Sequence, residues 1–250
     1  MKILVAIKQV PLRDSAIHPQ GSWIAEDDLT FEMNEPDAYA LEEALQLREK
    51  HGGEVVVLCA GPDRAQSTIR EALAKGADRA IHVVDESLSS KDALAVATIL
   101  ADAARAESPD LILTGLQSDD LGAGQTGVVV AELLGIPHST IIMAVEVDAG
   151  RVRVKRELED GWFQHISMPL PALLTIQSGI NKLRYATLMG IKKAKTKEIR
   201  EVSAASVESP TAVASVALPV KHKQAKIWDG DAKTSARELV AALRNEVRVL

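Results

Sequence analysis

Short apolar runs alternate with helix-period segments along the first half of the chain. Residues 3–7 (ILVAI), 54–60 (EVVVLCA), 79–84 and 111–114 are nearly continuous apolar stretches, the pattern of strands covered on both faces. The segments 36–51, 65–75, 91–106 and 124–134 read as helices between and after them. The first of these carries Ala40, Leu41, Ala44, Leu45 and Leu47 as its apolar stripe. It opens at Pro36 with Asn34 placed as its cap, and Gly52-Gly53 ends it. Before it, a polar stretch containing Pro11, Pro19 and Gly21 reads as a loop or small hairpin. Strand and helix in this alternation predict right-handed crossovers and an α/β fold, a doubly wound, mostly parallel Rossmann-like sheet with helices on both faces.

The pattern changes after Pro137. Residues 141–147, 152–157 and 173–176 read as strands, and the Asp148-Ala149-Gly150 turn makes the first two an antiparallel hairpin. Residues 204–219 are Ala, Val, Ser and Pro without helical period, an extended arm. A final amphipathic helix over 235–247 places Leu239, Val240 and Leu243 on one face. The expected organisation is a body over residues 1–200 and an arm plus helix over 201–250.

Composition removes several function classes. The chain has 250 residues, and its single cysteine, Cys59, excludes a disulfide framework and a cysteine-rich zinc or iron–sulfur site. Cys59 sits in an apolar run without a basic neighbour, so it is expected to be a buried, inert thiol. No run approaches the ~18 apolar residues of a membrane span. The start of the chain enters an apolar strand directly, without signal-peptide features, so a reducing, cytoplasmic setting and no membrane insertion are expected. A net charge of −6 argues against nucleic acid as a partner. The six histidines form no H-E-x-x-H pattern and no G-x-S-x-G is present, so neither metal ligands nor catalytic residues are assigned.

One loop stands out. Gly115-Leu116-Gln117-Ser118-Asp119-Asp120-Leu121-Gly122-Ala123-Gly124-Gln125-Thr126 follows a buried strand and precedes a helix, where an open parallel sheet places its ligand crevice. Its glycines allow close backbone approach to a phosphate, and the following helix adds a positive dipole end. It is neither a Walker loop nor G-x-G-x-x-G, and its lack of lysine favours binding a nucleotide over transferring its phosphate. Ala6 and Lys8 at the end of the first strand, Asn34-Glu35-Pro36-Asp37 at a helix start, and Ala60 at the end of the second strand point toward the same crevice. Lys8 reads either as a phosphate contact or as a solvated strand end, and Asn34 either as a nucleotide contact or as a helix cap. A second unusual stretch is 181–198, NKLRYATLMGIKKAKTKE, with Leu188 and Met189 just before Lys192, Lys193, Lys195 and Lys197. By composition alone this is a short helix that packs Leu188 inward behind a solvated lysine face.

Taken together, these segments resemble the beta subunit of electron transfer flavoprotein over nearly the whole chain. The resemblance rests on KILVAIKQVP, NEPDAYALEEAL, AGPDRAQSTIREALAKGADRAIHV, GLQSDDLGAGQTG, RELEDG and LPALLTIQSGINKLRYATLMGIKKAKTKEI. It implies a heterodimer with an alpha subunit that holds most of the FAD, and one AMP buried in beta with a structural role. AMP contacts would come from Ala6, Asn34 to Asp37, Ala60 and the loop Gly115 to Thr126. The segment with Arg184, Tyr185, Leu188, Lys192 and Lys193 would be the recognition loop for flavin dehydrogenases, with Leu188 as an exposed anchor. Glu157 would face an alpha-subunit arginine near the flavin, and the arm and last helix would wrap onto alpha. The implied function is an electron carrier, not an enzyme by itself, between dehydrogenases such as acyl-CoA dehydrogenases and a quinone oxidoreductase. Two alternatives remain open: an electron-bifurcating relative with a second FAD in place of AMP, and a stand-alone adenine-nucleotide-binding regulator of the universal-stress type.

Overall fold

The structure is a computed structural model, and it describes residues 1–220 and 225–250. Met1–Val216 and Ala217–Leu250 form separate compact units. In the first, the apolar runs become β1 (Lys2–Ala6), β6 (Glu54–Gly61), β7 (Arg79–Val84) and β8 (Leu111–Gly115). Four short strands between β1 and β6 form hairpin pieces: β2 (Gln9–Pro11) pairs antiparallel with β5 (Phe31–Met33), and β3 (Pro19–Gln20) pairs antiparallel with β4 (Trp23–Ile24). The helices are α1 (Glu35–His51), α2 (Gln66–Lys75), α3 (Ala93–Glu107) and α4 (Thr126–Leu134).

Beyond α4 come β9 (His138–Asp148), β10 (Arg151–Glu157), β11 (Phe163–Pro169), β12 (Ala172–Ile176), α5 (Leu188–Ala194) and β13 (Ile199–Ser203). Nine strands form one sheet in the order β11-β10-β9-β12-β8-β1-β6-β7-β13. Pairing is parallel from β9 through β12, β8, β1, β6 and β7 to β13, and antiparallel across β9, β10 and β11. Alternation along the central strands feeds two cores. Ile3 and Val5 of β1 pack with Leu41 and Leu45 of α1 and Ile69 and Leu73 of α2 on one face, while Leu4 packs with Ile99 and Leu100 of α3 and Val130 of α4 on the other.

Two elements escaped the sequence pattern. β11 alternates so weakly that only Met168 is buried along it, and β13 is an edge strand in which Arg200 and Glu201 face outward. The residue-200 boundary taken from composition therefore falls inside β13, whose pairing with β7 runs from Ile199 opposite Ala80 to Ser203 opposite Val84.

The N-terminal ends of the strands are closed by an ion-pair cluster. Glu107, almost wholly buried, receives Arg79 and Arg200 at 2.6 Å each and lies 3.7 Å from Lys2, while Arg79 also binds Glu54 at 2.8 Å. The second unit contains α6 (Ala232–Ala242), capped by the Asp231 carboxylate at the N–H groups of Lys233 and Thr234 and continued by a π-helical turn over Leu243–Val247. Leu239, Val240 and Val247 are exposed on it. No helix among the described residues is long and apolar enough to cross a membrane.

Candidate functional site

From β1 the chain reaches β6 and β7 on one side through α1 and α2, and then crosses back through α3 to β8 on the other side of β1. The switch point of the sheet therefore lies between β1 and β8, where a doubly wound fold opens a crevice at its carboxyl ends. The start of α1 sits on that crevice. Asp37 Oδ2 accepts the Lys8 N–H at 2.8 Å and Asp37 Oδ1 accepts the Gly115 N–H at 2.8 Å, so one carboxyl group bridges the ends of both strands. Burial raises the Asp37 pKa from 3.8 to about 7, with the two backbone hydrogen bonds pulling the other way. Gly115 has no room for a side chain: a Cβ there would run into Asp37 Oδ1 and lie 2.7 Å from the Pro36 Cβ.

The loop after β8 is laced to the same helix start. The Asn34 side chain donates from Nδ2 to the Gln117 carbonyl at 3.0 Å and accepts the Asp119 N–H at 2.9 Å through Oδ1. Its expected capping role is thereby displaced: Asn34 makes no side-chain cap bond, and the Asp119 carboxylate takes the Glu35 N–H at 3.1 Å instead. Lys8 stays partly exposed but is not free, since its Nζ lies 2.6 and 2.7 Å from the two Asp120 oxygens and 3.4 Å from Ser118 Oγ. Burial pushes the Asp120 carboxyl up, but the Lys8 charge and hydrogen bonds outweigh it and hold the group below its ordinary value.

Past Asp120 the loop changes character. Leu121, Ala123 and Gln125 are exposed, and Gly122 and Gly124 take φ values of 62° and 63°, the left-handed region open to glycine. Gly122 N–H returns to the Ser118 carbonyl at 2.8 Å. The N–H groups of Ala123, Gly124, Gln125 and Thr126 have no hydrogen-bond partner among the described residues, and they precede or open α4. Unpaired donors at a helix N-terminus, with the dipole behind them, form a cradle for an anion such as a phosphate. Leu116 closes the base of the loop by donating to the Ile176 carbonyl at 3.0 Å. Ala6 and Ala60 lie at the carboxyl-terminal ends of β1 and β6, Ala60 within the core cluster that also holds Leu4 and Val83. Cys59 is buried, and burial followed by the Asp37 charge pushes its thiol up to about 12, so it holds its proton.

Elsewhere, the sequence-predicted residues separate into further groups. Tyr185 and Leu188 are 91% and 88% exposed, and Lys192 and Lys193 are exposed beside them on α5. Leu188 therefore points outward, against the inward packing that composition suggests. Arg184 turns the opposite way, onto Glu42 and Glu49 of α1 at 2.7 Å each. Glu157 is half-buried at the end of β10, opposite Phe163, and the neighbouring turn exposes Leu158 and Trp162. A cleft of about 510 Å³, lined in part by Trp23, Glu26, Pro62, Arg64 and Glu86, was not foreseen. None of the residues expected in the nucleotide crevice lines it, and its single cation, Arg64, is spent on Glu26 at 2.9 Å and stacked on Phe31 at 3.9 Å. Among the described residues no group of three or more His, Cys, Asp or Glu side chains is arranged to hold a metal ion.

Comparison with known proteins adds kinship to this geometry. Residues 22–207 match the family model of the electron transfer flavoprotein domain. The chain is 43% identical over 213 residues to the electron transfer flavoprotein subunit beta of Methylophilus methylotrophus, covering 83% of this chain and 81% of that one. It is 38% identical over 251 residues to the subunit beta of Syntrophomonas wolfei, covering 100% of this chain and 98% of the relative. The mitochondrial subunit beta of Oryza sativa subsp. japonica is 39% identical over 261 residues, covering 100% of both chains.

Proposed function

The chain belongs to the electron transfer flavoprotein family, among its beta subunits, and from that premise we propose that it is one half of an electron-carrying heterodimer with an alpha subunit. The carrier works in the cytoplasm, taking electrons from flavin dehydrogenases, acyl-CoA dehydrogenases of fatty acid oxidation among them, and passing them to a quinone oxidoreductase. FAD, held mostly by alpha against this chain, supplies the redox chemistry. This chain contributes a wall for the flavin, a rigid nucleotide crevice and a docking surface, and it catalyses no bond change of its own.

The observation that carries the reading is the row of unpaired N–H donors from Ala123 to Thr126 at the sheet's switch point. In this reading they take the phosphate of an AMP, while Ala6, Ala60 and Asn34-Glu35-Pro36-Asp37 flank the rest of the nucleotide. The crevice fits a resident ligand better than a substrate. Its one lysine, Lys8, is neutralised by Asp120. The exposed Leu188 and Tyr185, with Lys192 and Lys193 beside them, suit an acidic partner surface with an apolar centre. Glu157 supports contact with a cationic group of alpha.

The test is to co-express the chain with its alpha subunit, denature the purified heterodimer and identify every nucleotide released. One FAD and one AMP per heterodimer is the expected result. Flavin in excess of one per heterodimer would replace AMP by a second FAD, and a stable homodimer that ignores alpha would overturn the carrier reading.

A further inference from the structure

Residues 185–191 present Tyr185, Leu188, Met189 and Ile191 to solvent in a short stretch. Its own polar bonds are local: Thr187 Oγ1 accepts the Gly190 N–H at 3.0 Å and the Thr187 carbonyl accepts the Ile191 N–H at 2.9 Å. Such a stretch holds one shape only if its two ends are fixed, and both are. On the far side, Arg70 of α2 donates to the carbonyls of Ala194 and Lys197 at 2.7 and 2.9 Å, and Lys197 donates to the Leu73 carbonyl at 3.0 Å. A Cβ on Gly190 would collide with the Ala74 carbonyl oxygen, so α5 lies directly on the end of α2.

On the near side the fixing group is Arg184. Its Nε and Nη2 grip Glu42 at 2.7 and 3.0 Å in a bidentate fork, and its Nη1 and Nη2 reach Glu49 at 2.7 and 3.3 Å. The Arg184 N–H also donates to Glu42 at 3.3 Å, and Asn181 just upstream donates to Glu43 at 3.0 Å. Glu42 is buried, so without the guanidinium its charge would stand unpaired, and lysine cannot reproduce the planar fork. All three guanidinium nitrogens are engaged within the chain, which leaves Arg184 poorly placed to bind a partner.

Resting on the docking role proposed above, we infer that Arg184 is a positioning residue: through Glu42 and Glu49 it fixes on α1 the stretch that a flavin dehydrogenase grips. A pre-set loop spares the complex the ordering of several side chains on contact, so losing the clamp weakens association and leaves the redox centre alone.

The experiment uses the heterodimer with an acyl-CoA dehydrogenase and compares Leu188→Ala, Arg184→Gln, the double variant and Glu49→Gln. Arg184→Gln is expected to raise the KM for the carrier roughly tenfold with kcat and FAD content little changed. It should also speed amide hydrogen exchange in residues 185–191. The double variant should be no weaker than Leu188→Ala alone, because Arg184 acts through the stretch that carries Leu188. Effects that multiply would mean a direct partner contact by Arg184 and would overturn the inference. So would an unchanged KM in Arg184→Gln beside a raised KM in Leu188→Ala, with the docking role left standing. A flat response to Leu188→Ala would remove the docking role and this inference together. If Arg184→Gln does not fold, the exposed half of the clamp decides: Glu49→Gln should raise both KM and exchange to a smaller degree, and no change in either refutes the clamp.

Discussion

Asp37→Asn probes the join between β1, β8 and α1. In the folded chain the Asp37 pKa is raised from 3.8 to about 7, chiefly by burial. The folded state therefore keeps its proton to higher pH than the unfolded chain does. Below the unfolded value both states are protonated and the group costs nothing. As pH rises toward about 7 the unfolded chain ionises first and stability falls, and above that the whole cost is present. A shift of this size corresponds to about 4 kcal/mol at ~1.4 kcal/mol per unit, more than half of it developing between about pH 5 and about pH 8. Asparagine removes the titration but keeps one carbonyl oxygen. It can accept from either Lys8 N–H or Gly115 N–H and leaves the other unsatisfied, at a cost of about 1–2 kcal/mol that does not vary with pH.

The two contributions cross. At about pH 5 the variant should be equal to the wild type or slightly less stable, and at about pH 8 it should be more stable by roughly 2 kcal/mol. Urea unfolding of both proteins across this range, read as a difference, cancels every other titrating group. Parallel stability curves would refute the reasoning, because they would mean that Asp37 ionises alike in the folded and unfolded chain.

Gly115→Ala should cost about 1–3 kcal/mol and lower nucleotide content, since the new methyl drives Asp37 and Pro36 away from the end of β8; thermal melting with nucleotide release checks both. Glu107→Gln should cost about 3 kcal/mol at neutral pH by weakening the hold on Arg79 and Arg200. The Arg79 hydrogen bond and nearby cations outweigh burial and hold Glu107 below its ordinary value, so the wild type's advantage in urea should shrink as pH falls through the carboxylate range. Lys8→Met leaves Asp120 without its cation and should speed nucleotide loss by more than it lowers stability, as timed by dialysis and chromatography; a loss rate equal to that of wild type would show that the pair does not hold the loop.

The central sheet was legible because burial on both faces writes itself as continuous apolar runs: β1, β6, β7 and β8 lie where those runs predict. β11 and β13 were not, because β11 buries one side chain and β13 none, so neither pattern distinguishes a strand from a loop. At the crevice, the loop after β8 could be placed from glycine spacing and its position after a strand. The exchange of partners inside it could not. Asn34 and Asp119 are both good caps by residue type, and which one caps α1 depends on how a loop 85 residues downstream folds back. Leu188 shows the same limit in reverse: composition alone reads an apolar residue near lysines as buried, whereas the family resemblance expects it exposed, and exposed is how the fold places it.

The two ends of the sheet separate by how completely their polar groups are satisfied. At the N-terminal end Glu107 is paired with Arg79 and Arg200 and lies near Lys2, and Arg79 is shared with Glu54, so each buried charge has its counter-charge inside the chain. Such an end is closed: a ligand there would first have to break an ion pair that burial has made costly to open. At the C-terminal end Lys8 is matched with Asp120, and the buried Asp37 carboxyl is held by two backbone N–H groups in place of a cation. The loop backbone is not satisfied, and four successive N–H groups from Ala123 to Thr126 remain open among the described residues. Leaving donors unpaired is tolerable in this exposed loop and would be expensive in the core. A neutralised lysine next to open amides favours an anion held by geometry over one attacked by charge, and it is this asymmetry between the ends that points to a crevice for a resident nucleotide.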